Sequence, residues 1–533
     1  MPYEEIEFAI NSLNKNKRDG SAELNSNHII FSFKEFKLIL TDLFNSLLSH
    51  GYNPDEILKA VLVSIPKDLQ KNLCDSENYR GIALCSALAK LWDIIIINKF
   101  NNNLNSSNLQ FAFKGKHSTT MCTAIFNEII AHYTDNGSNV YACLLDASKA
   151  FDRVSYIKLF RLLLERDIPP IYVRLLINLY KNQITSVEWD RKTSRSFKSK
   201  NGVRQGAILS PILFNIYIDE TLKLLKERGV GCYIGNHYAG ALGYADDITL
   251  ICPSLDGLQE MIETCEFSAD IYAIKFNSKK SQCIKFSKLN GNDIPFRSMY
   301  INQAALPWCG QVKHLGHIIQ SNLSQEKEIT FKKGCFIGSV NKLFSKFSYI
   351  PSRVMSKLFR TYCSSFYGSQ WWDLNSYYLL GLYTTWNKAV RKILKLPYQC
   401  HTRYLPSLIN QEHLKVQLQH RFVNFIKMFC LSDNPLVHYI SEIATKNFVG
   451  IIGKNWKCIY VNNCHNIESS NTSNDVFNFS KIHSNLSDMN INCEYEQEIT
   501  FIKELILIRD GDYQVPILNK SEINDIIDYF ACA

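Results

Sequence analysis

Two adjacent aspartates, Asp246 and Asp247, are the residues of this chain best suited to chemistry. Short apolar runs at 241–243 and 248–251 flank them, which predicts a β-hairpin with the acidic pair at its bend. Paired carboxylates at a turn repel each other, so a fold that keeps them together usually binds a cation there. Mg²⁺ is held by one or two carboxylates together with substrate phosphates. Taken alone, an Asp-Asp pair is equally compatible with a solvated turn, because aspartate is common in turns.

A third carboxylate favours the metal site. Residues 140–145 form a continuous apolar run of strand length, and Asp146 follows it directly. An unpaired carboxylate at the end of a buried strand would be costly, which indicates a functional group. If this strand lies beside the hairpin, three carboxylates converge, as a two-metal in-line phosphoryl transfer requires. The next segment predicts a helix, ended by Pro169-Pro170, whose apolar face comprises Ile157, Phe160, Leu163 and Leu164.

Three segments around these aspartates have the order and spacing of the palm motifs of reverse transcriptases. They are 145–152 (LDASKAFD), 201–211 (NGVRQGAILSP) and 244–247 (YADD). Other segments are similar to the fingers motifs and the primer-grip hairpin of that family, namely 63–68, 78–84, 110–120 and 312–316. The chain most resembles non-LTR retrotransposon polymerases of the LINE and Jockey type. The resemblance covers about residues 1 to 320 and extends more loosely to about 430.

This resemblance implies roles for individual residues. Asp146, Asp246 and Asp247 would be the catalytic carboxylates and would hold two Mg²⁺ ions. Further residues would bind the incoming nucleotide: Lys67, Arg80, Phe151, Gln205 and Gly206. Phe151 falls where reverse transcriptases carry an aromatic gate against the ribose 2′-hydroxyl. By the same resemblance, Lys279 or Lys280 would donate a proton to pyrophosphate.

Residue chemistry supports parts of this assignment and leaves alternatives open. Lys67 and Arg80 lie in short polar turns beside apolar runs, where they could capture a triphosphate or remain solvated surface cations. Phe151 could equally be an ordinary core aromatic. Gly206 and the nearby Gly202 would let the backbone come close to a ligand.

The motif at 201–211 also predicts where a helix begins. Ser210 would be the N-cap and Pro211 the first helical residue. By resemblance, the residues just before this helix line the pocket for nucleotide and template, with Gln205 near the incoming base.

Positive charge is concentrated in three clusters, although the net charge of +9 is moderate for 533 residues. The first comprises Lys181, Arg191, Lys192, Arg195, Lys198 and Lys200. The second comprises Lys275, Lys279, Lys280, Lys285 and Lys288. The third comprises Lys332, Lys333, Lys342, Lys346, Arg353, Lys357 and Arg360. Such clusters are often solvated faces, but beside an acidic metal site they favour contacts with a nucleic-acid backbone.

Composition indicates a folded protein, with 46% hydrophobic and 20% charged residues. The 17 cysteines are scattered, and no C-x-x-C pair occurs. Because neither a signal peptide nor a long apolar stretch is present, we expect an intracellular protein of the nucleus or cytoplasm that is not secreted and contacts no membrane.

We therefore predict an α+β fold: a right-hand polymerase with fingers, a ferredoxin-like split βαβ palm, a helical thumb and a small C-terminal extension. The expected divisions are an N-terminal helical extension at 1–45, fingers and palm at 46–319, the thumb at 320–430, and a region of unassigned function at 431–533. A Ser/Asn/Asp-rich stretch near 466–492 predicts a flexible linker.

The predicted function is RNA-directed DNA synthesis from an RNA template, a DNA primer and deoxynucleoside triphosphates. Maturase-like and telomerase-like enzymes remain alternatives within the same lineage. A catalytically inactive or domesticated element remnant that only binds nucleic acid is the alternative outside enzymes. We further expect no endonuclease within these residues. The sequence does not indicate an oligomeric state.

Overall fold

The computed structural model describes residues 1–17, 19–20, 24–287 and 297–464, and the isolated positions 500, 503, 506 and 507. The predicted linker near 466–492 and Lys288 lie outside these residues. Within the described ranges, no helix combines the length and the apolar character that a membrane span needs.

The α-helices of the described ranges, in chain order, are α1 (Tyr3–Asn11), α2 (Ser26–Ile30), α3 (Lys34–His50), α4 (Asp55–Leu58), α5 (Ala87–Lys99), α6 (Thr119–Asp135), α7 (Ala150–Arg153), α8 (Tyr156–Glu165), α9 (Pro170–Lys181), α10 (Ser210–Arg228), α11 (Leu255–Tyr272), α12 (Glu326–Phe347), α13 (Ser352–Tyr362), α14 (Tyr378–Leu394), α15 (Leu405–Leu408), α16 (Leu414–Cys430), α17 (Pro435–Asn447) and α18 (Gly450–Cys464).

The strands are β1 (Lys59–Pro66), β2 (Tyr79–Cys85), β3 (Val140–Leu145), β4 (Ile184–Trp189), β5 (Lys192–Thr193), β6 (Phe197–Lys198), β7 (Tyr233–Ile234), β8 (His237–Tyr238), β9 (Ala241–Tyr244), β10 (Asp247–Cys252), β11 (Gln282–Phe286), β12 (Met299–Ile301), β13 (Ala304–Leu306), β14 (Gln311–His314) and β15 (His317–Gln320).

Two sheets organise the first two thirds of the chain. One has the order β2-β1-β4-β5, with β6 also paired to β4, and β1 runs parallel to β4 and antiparallel to β2. The other is the four-stranded antiparallel sheet β11-β3-β10-β9, which we call the palm sheet. Helices α10 and α11 connect its strands along the chain, so the predicted α+β class is confirmed.

The central strand β3 is buried on both faces. Its side chains alternate between two hydrophobic cores, with Val140 and Ala142 in one and Cys143 and Leu145 in the other. Successive residues of a strand point to opposite faces, and a strand covered on both sides reads as a continuous apolar run. This double burial explains the run at 140–145, whose predicted bounds are those of β3.

The helix predicted after Asp146 is present as α8, and two of the four residues of its predicted apolar face, Phe160 and Leu163, are buried, whereas the other two are exposed. Ile157 is 81% exposed and Leu164 is 45% exposed. The buried line instead begins at Tyr156 and continues through Leu159 and Leu163. Tyr156 carries a polar hydroxyl and lies outside the apolar pattern from which the face was predicted. The buried face of α8 is therefore rotated by about one residue from the predicted face.

The predicted N-terminal helices are confirmed as α1 and α3, and Gly51 ends α3 in the left-handed conformation. In the predicted thumb, α12, α13 and α14 pack around Trp372 and Trp386, both completely buried. These tryptophans are therefore core residues of the helical region. The domain boundaries at 45, 319 and 430 stay predictions.

Helix α18 packs against α6 through a buried carboxylate. Glu128 of α6 accepts a hydrogen bond from the backbone N–H of Ile452, in the first turn of α18, at 3.0 Å. Gly450 precedes this contact with φ +69°, and a Cβ there would lie 1.8 Å from Oε2 of Glu128. The carboxylate thus satisfies the free N–H groups at the start of α18, and only glycine fits beside it.

Burial, helped by the charge of Asp135 and opposed by N–H groups of α18 and by Lys454, raises the pKa of Glu128 to about 7. Because the folded-state pKa lies above the ordinary value, this group stabilises the fold below about pH 4.5 and loses that stability as the pH rises through 7.

We predict that Glu128→Gln removes this pH dependence, because the amide oxygen still accepts from Ile452 but carries no charge. At pH 8 the variant should be more stable than the wild type by at most about 3 kcal/mol. Thermal unfolding between pH 5 and pH 8 measures the difference. The matched control is Glu442→Gln, an exposed carboxylate on α17 paired with Lys446. Parallel pH profiles for wild type and Glu128→Gln would contradict the prediction.

Candidate active site at the end of the palm sheet

The register of two neighbouring strands brings the predicted carboxylates to one end of the palm sheet. Leu145 of β3 pairs with Ile248 of β10, so Asp146 and Asp247 are the next residues at the same edge. Asp247 pairs in turn with Tyr244 of β9, and the two residues between them, Ala245 and Asp246, form the hairpin loop. The predicted hairpin with an acidic bend is confirmed.

The three carboxylates repel one another. Desolvation raises the pKa of Asp246, the charge of Asp146 raises it further, and Arg80 and Lys280 oppose the shift. The pKa of Asp247 is raised to about 7, first by desolvation and then by Asp246 and Asp146. The Asp247 side chain still reaches solvent, so the site is a partly enclosed surface and not an interior cavity. Bound cations would relieve this repulsion.

Asp146 carries a free acceptor. Its Oδ2 is buried, and no donor in the described ranges forms a hydrogen bond with it. The nearest cation is Lys280, whose Nζ lies 3.8 Å from that oxygen. A buried carboxylate oxygen with free lone pairs suits a metal ligand. In the present side-chain arrangement, however, no three His, Cys, Asp or Glu side chains of the described ranges form a ready-made metal site.

Loop contacts fix the position of Asp146. Its backbone N–H donates to Oγ of Ser281 at 3.1 Å, and its carbonyl accepts from the N–H of Asn277 at 2.8 Å. Two residues later, Ser148 donates to the carbonyl of Lys275 at 2.8 Å. The segment after α11 therefore holds the end of β3 from one side and presents Lys280 to the carboxylate.

Phe151 lies between core and surface. Its ring is half-buried and stacks on Phe214 of α10, with centroids 4.3 Å apart and an interplanar angle of 13°. Its carbonyl accepts from the N–H of Val203 at 2.9 Å, which joins the loop after Asp146 to the predicted nucleotide motif. These contacts fit both open interpretations, the sugar gate and the core aromatic.

The loop with Gln205 and Gly206 packs against β2. The N–H of Ala83 donates to the carbonyl of Gln205 at 2.5 Å. Gly206 has φ +110°, and a Cβ there would lie 2.7 Å from the carbonyl oxygen of Ala83. The predicted close backbone approach is thus present, although the partner seen is the sheet of β1 and β2.

Arg204, between the two predicted glycines, is a structural residue. It is buried, its Nε donates to Oε1 of Gln183 at 2.7 Å, and its Nη2 donates to the carbonyl of Leu58 at 3.4 Å. The guanidinium therefore ties this loop to the segments before β1 and β4. Sequence reasoning missed this function because the motif contains no sign that its arginine points inward.

The predicted N-cap of α10 is wrong. Ser210 makes no capping hydrogen bond and instead lies 3.3 Å from the hydroxyl of Tyr180. Asp93 of α5 takes its place by accepting from the N–H groups of Ile208 and Leu209 at 3.1 and 3.2 Å. Burial raises the pKa of Asp93 to about 6, although these bonds and Arg204 oppose the shift. One signal was available, since Asp93 stands alone in an otherwise apolar helical run.

Cations lie directly after β1, on β2 and in the loop after Asp146. Lys67 is exposed and donates to the carbonyl of Glu77 at 2.7 Å, while the Glu77 carboxylate forms a 2.7 Å ion pair with Lys149. Arg80, on β2, is exposed and acts on Asp246 through its charge. Lys149 is a further cation of the site that motif reasoning did not single out.

The predicted primer-grip segment forms the hairpin of β14 and β15. His314 at its bend is buried between Thr123 of α6, at 3.0 Å, and Thr249 of β10, at 3.1 Å. Burial and, to a lesser extent, the neighbouring His317 lower the pKa of His314 to about 3. A neutral imidazole therefore fixes the hairpin against the strand that begins with Asp247.

Comparisons with known proteins agree with the motif assignment. Residues 65–319 match the family described as reverse transcriptase (RNA-dependent DNA polymerase). The chain is 27% identical over 272 residues to the Pol polyprotein of the type-2 retrotransposable element R2DM of Drosophila melanogaster, covering 50% of this chain and 25% of that protein. It is 25% identical over 353 residues to the RNA-directed DNA polymerase of the mobile element jockey of Drosophila funebris, covering 64% and 38%.

The solved structure of apo telomerase from Candida tropicalis, truncated from its C-terminal domain, aligns with a TM-score of 0.36 and 14% identity, covering 54% of this chain and 60% of that one. The chain spans only a quarter of the length of the R2DM relative and 38% of that of the jockey relative. The matched family and these relatives confirm the predicted resemblance to non-LTR retrotransposon polymerases, and the reverse transcriptase match covers residues 65–319.

Proposed function

We propose that this chain is an RNA-directed DNA polymerase that extends a DNA primer on an RNA template by two-metal phosphoryl transfer. The observation that carries the proposal is the convergence of Asp146, Asp246 and Asp247 at one end of the palm sheet. Their mutual repulsion and the free Oδ2 of Asp146 support a site built for cations. The reverse transcriptase match over 65–319 contains all three residues.

Two Mg²⁺ ions held by these carboxylates would supply activation of the primer 3′-hydroxyl and neutralisation of the leaving pyrophosphate. The protein's own residues hold the carboxylates and a neighbouring lysine in position. Lys280 balances Asp146 before substrate arrives and is the nearer of the two lysines proposed as proton donors to pyrophosphate. This placement favours Lys280 over Lys279.

For the incoming deoxynucleoside triphosphate we propose a pocket between the carboxylates and β2. Lys67 and Arg80 would bind the phosphates, because both are exposed cations on that side. Gln205 and Gly206 would face the base and the template. The basic clusters near β4 to β6 and on α12 and α13 would contact the nucleic-acid backbone, which makes binding weaken as salt is raised.

The proposed reaction needs RNA and deoxynucleotides, so we expect the protein to work inside the cell, in the nucleus or the cytoplasm. A remnant that only binds nucleic acid has no chemical need for three placed carboxylates. Primer extension by the purified chain, with RNA and DNA templates and both kinds of nucleotide, separates the two functions directly.

We predict that Asp246→Asn abolishes extension while the fold persists. Removing one metal ligand should lower the rate by roughly 10³-fold or more, since metal stabilisation supplies several kcal/mol of the barrier. Without metal, the variant should melt at the wild-type temperature or above it, because a repelling charge is gone. Primer extension and thermal melts measure both effects, with Asp433→Asn, whose side chain is 93% exposed, as the control. Extension at near wild-type rate would refute the assignment of Asp246.

We predict that Phe151→Val admits ribonucleotides. If the ring excludes the 2′-hydroxyl, its removal should raise the ratio of ribonucleotide to deoxynucleotide incorporation by about tenfold or more. The measurement is incorporation of both sugars together with a thermal melt. Phe160→Val, a buried ring of α8, is the control for general loss of packing. A stable Phe151→Val variant with unchanged sugar preference would rule out the gate.

A further inference from the structure

One fully buried amide contacts the loop that carries Asp246. Gln110, in the segment before α6, has no exposed surface although its side chain is polar. Its Oε1 accepts from the N–H of Ala245 at 2.9 Å, and its Nε2 donates to the carbonyl of the same residue at 3.3 Å. A single side chain therefore satisfies both backbone groups of the residue that precedes Asp246.

Ala245 needs such support because of its backbone conformation. Its φ is +55°, in the left-handed region that is unfavourable for any residue with a Cβ. It occupies the first position of a two-residue hairpin loop, where a positive φ is usually supplied by glycine. The loop is thus held in a strained conformation by contacts from outside the hairpin.

The backbone around Gln110 strengthens the hold. The N–H of Phe111 donates to the carbonyl of Gly243 at 2.8 Å, and the N–H of Gly243 donates to the carbonyl of Leu109 at 2.8 Å. Residues on both sides of Gln110 are therefore bonded to β9, two residues before Ala245. The segment 109–111 acts as a short extra strand along the catalytic hairpin.

The segment that carries Gln110 is itself fixed. Oε1 of Gln110 also accepts from the N–H of Ala112 at 3.0 Å, and the carbonyl of Ala112 accepts from Nδ2 of Asn215 in α10 at 2.7 Å. On the other side, Asn434 at the start of α17 donates to the carbonyl of Asn108 at 2.7 Å. Gln110 thus transmits the position of two helices to the loop.

We infer that Gln110 is a positioning residue for the catalytic carboxylates, an inference that rests on the proposed polymerase function. Asp246 and Asp247 lie at the same edge of the palm sheet as Asp146, so their like charges repel and oppose this arrangement. By fixing both backbone groups of Ala245, Gln110 keeps the two aspartates in the arrangement that binds metal. It touches neither substrate nor the reacting atoms.

The test compares Gln110→Met with Asn127→Leu. The first keeps side-chain volume but removes all three hydrogen bonds of the amide. The second removes a buried amide of α6 whose hydrogen bond within the described ranges stays in its own helix, to the carbonyl of Thr123 at 2.7 Å. Should Gln110→Met not fold, Gln110→Asn, whose amide is one methylene shorter, replaces it.

Three measurements on the full chain decide the matter. In primer extension, Gln110→Met should lower kcat about tenfold or more, with the KM for template-primer unchanged. Titration of the protein alone with Mn²⁺, followed by electron paramagnetic resonance, should show affinity weakened several-fold. Hydrogen exchange at residues 243–247 should become faster. Asn127→Leu should lower the melting temperature without moving any of these three.

Wild-type values of kcat and Mn²⁺ affinity in folded Gln110→Met would overturn the inference. So would a fall in kcat that is fully accounted for by a smaller fraction of folded protein. Absence of extension by the wild type would refute the polymerase proposal instead. The Mn²⁺ and exchange measurements would then still report whether Gln110 holds the loop.

Discussion

Like-charge repulsion at the end of the palm sheet is the constraint on which the rest of the site depends. The antiparallel register of β3 and β10 places Asp146 and Asp247 side by side, and the hairpin loop adds Asp246. Each carboxylate makes ionisation of the next more costly, so the fold must hold this edge together by other means. The two-sided burial of β3 supplies that stability, because each fully buried aliphatic side chain contributes about 1.5–3 kcal/mol.

Buried polar side chains from segments distant in sequence hold the loops of the site in place through hydrogen bonds. Asp93 holds the start of α10, Arg204 ties the glycine-containing loop to the segments before β1 and β4, and Gln110 holds the hairpin of β9 and β10. Each satisfies backbone or side-chain groups that would otherwise be buried without partners, which is costly. The site is thus assembled from strand ends and loops that hydrogen bonds keep in register with the helices behind them.

The sequence was sufficient for the elements and for the acidic residues, because those leave local signals. The apolar run at 140–145 and the acidic pair between two short apolar runs predicted β3 and the hairpin correctly. Ser210 and Ile157 show where local reasoning failed. The cap of α10 comes from Asp93, more than a hundred residues away, and the phase of α8 is set by Tyr156, whose burial depends on the surrounding core. Contacts that depend on tertiary packing cannot be predicted from the spacing of residues along the sequence.

The burial of β3 on both faces also limits which sequence changes this strand can accept. A one-residue insertion or deletion within β3 would exchange every side chain between the two cores and move Asp146 off the edge it shares with Asp247. Conservative exchanges of apolar residues would be tolerated, whereas length changes would not. The turn at Gly137, where added atoms meet open space, carries no such restriction. Among copies of this gene, insertions and deletions should therefore accumulate before β3 and be absent within it. A copy with an insertion or deletion inside β3 is expected to have lost the ability to fold.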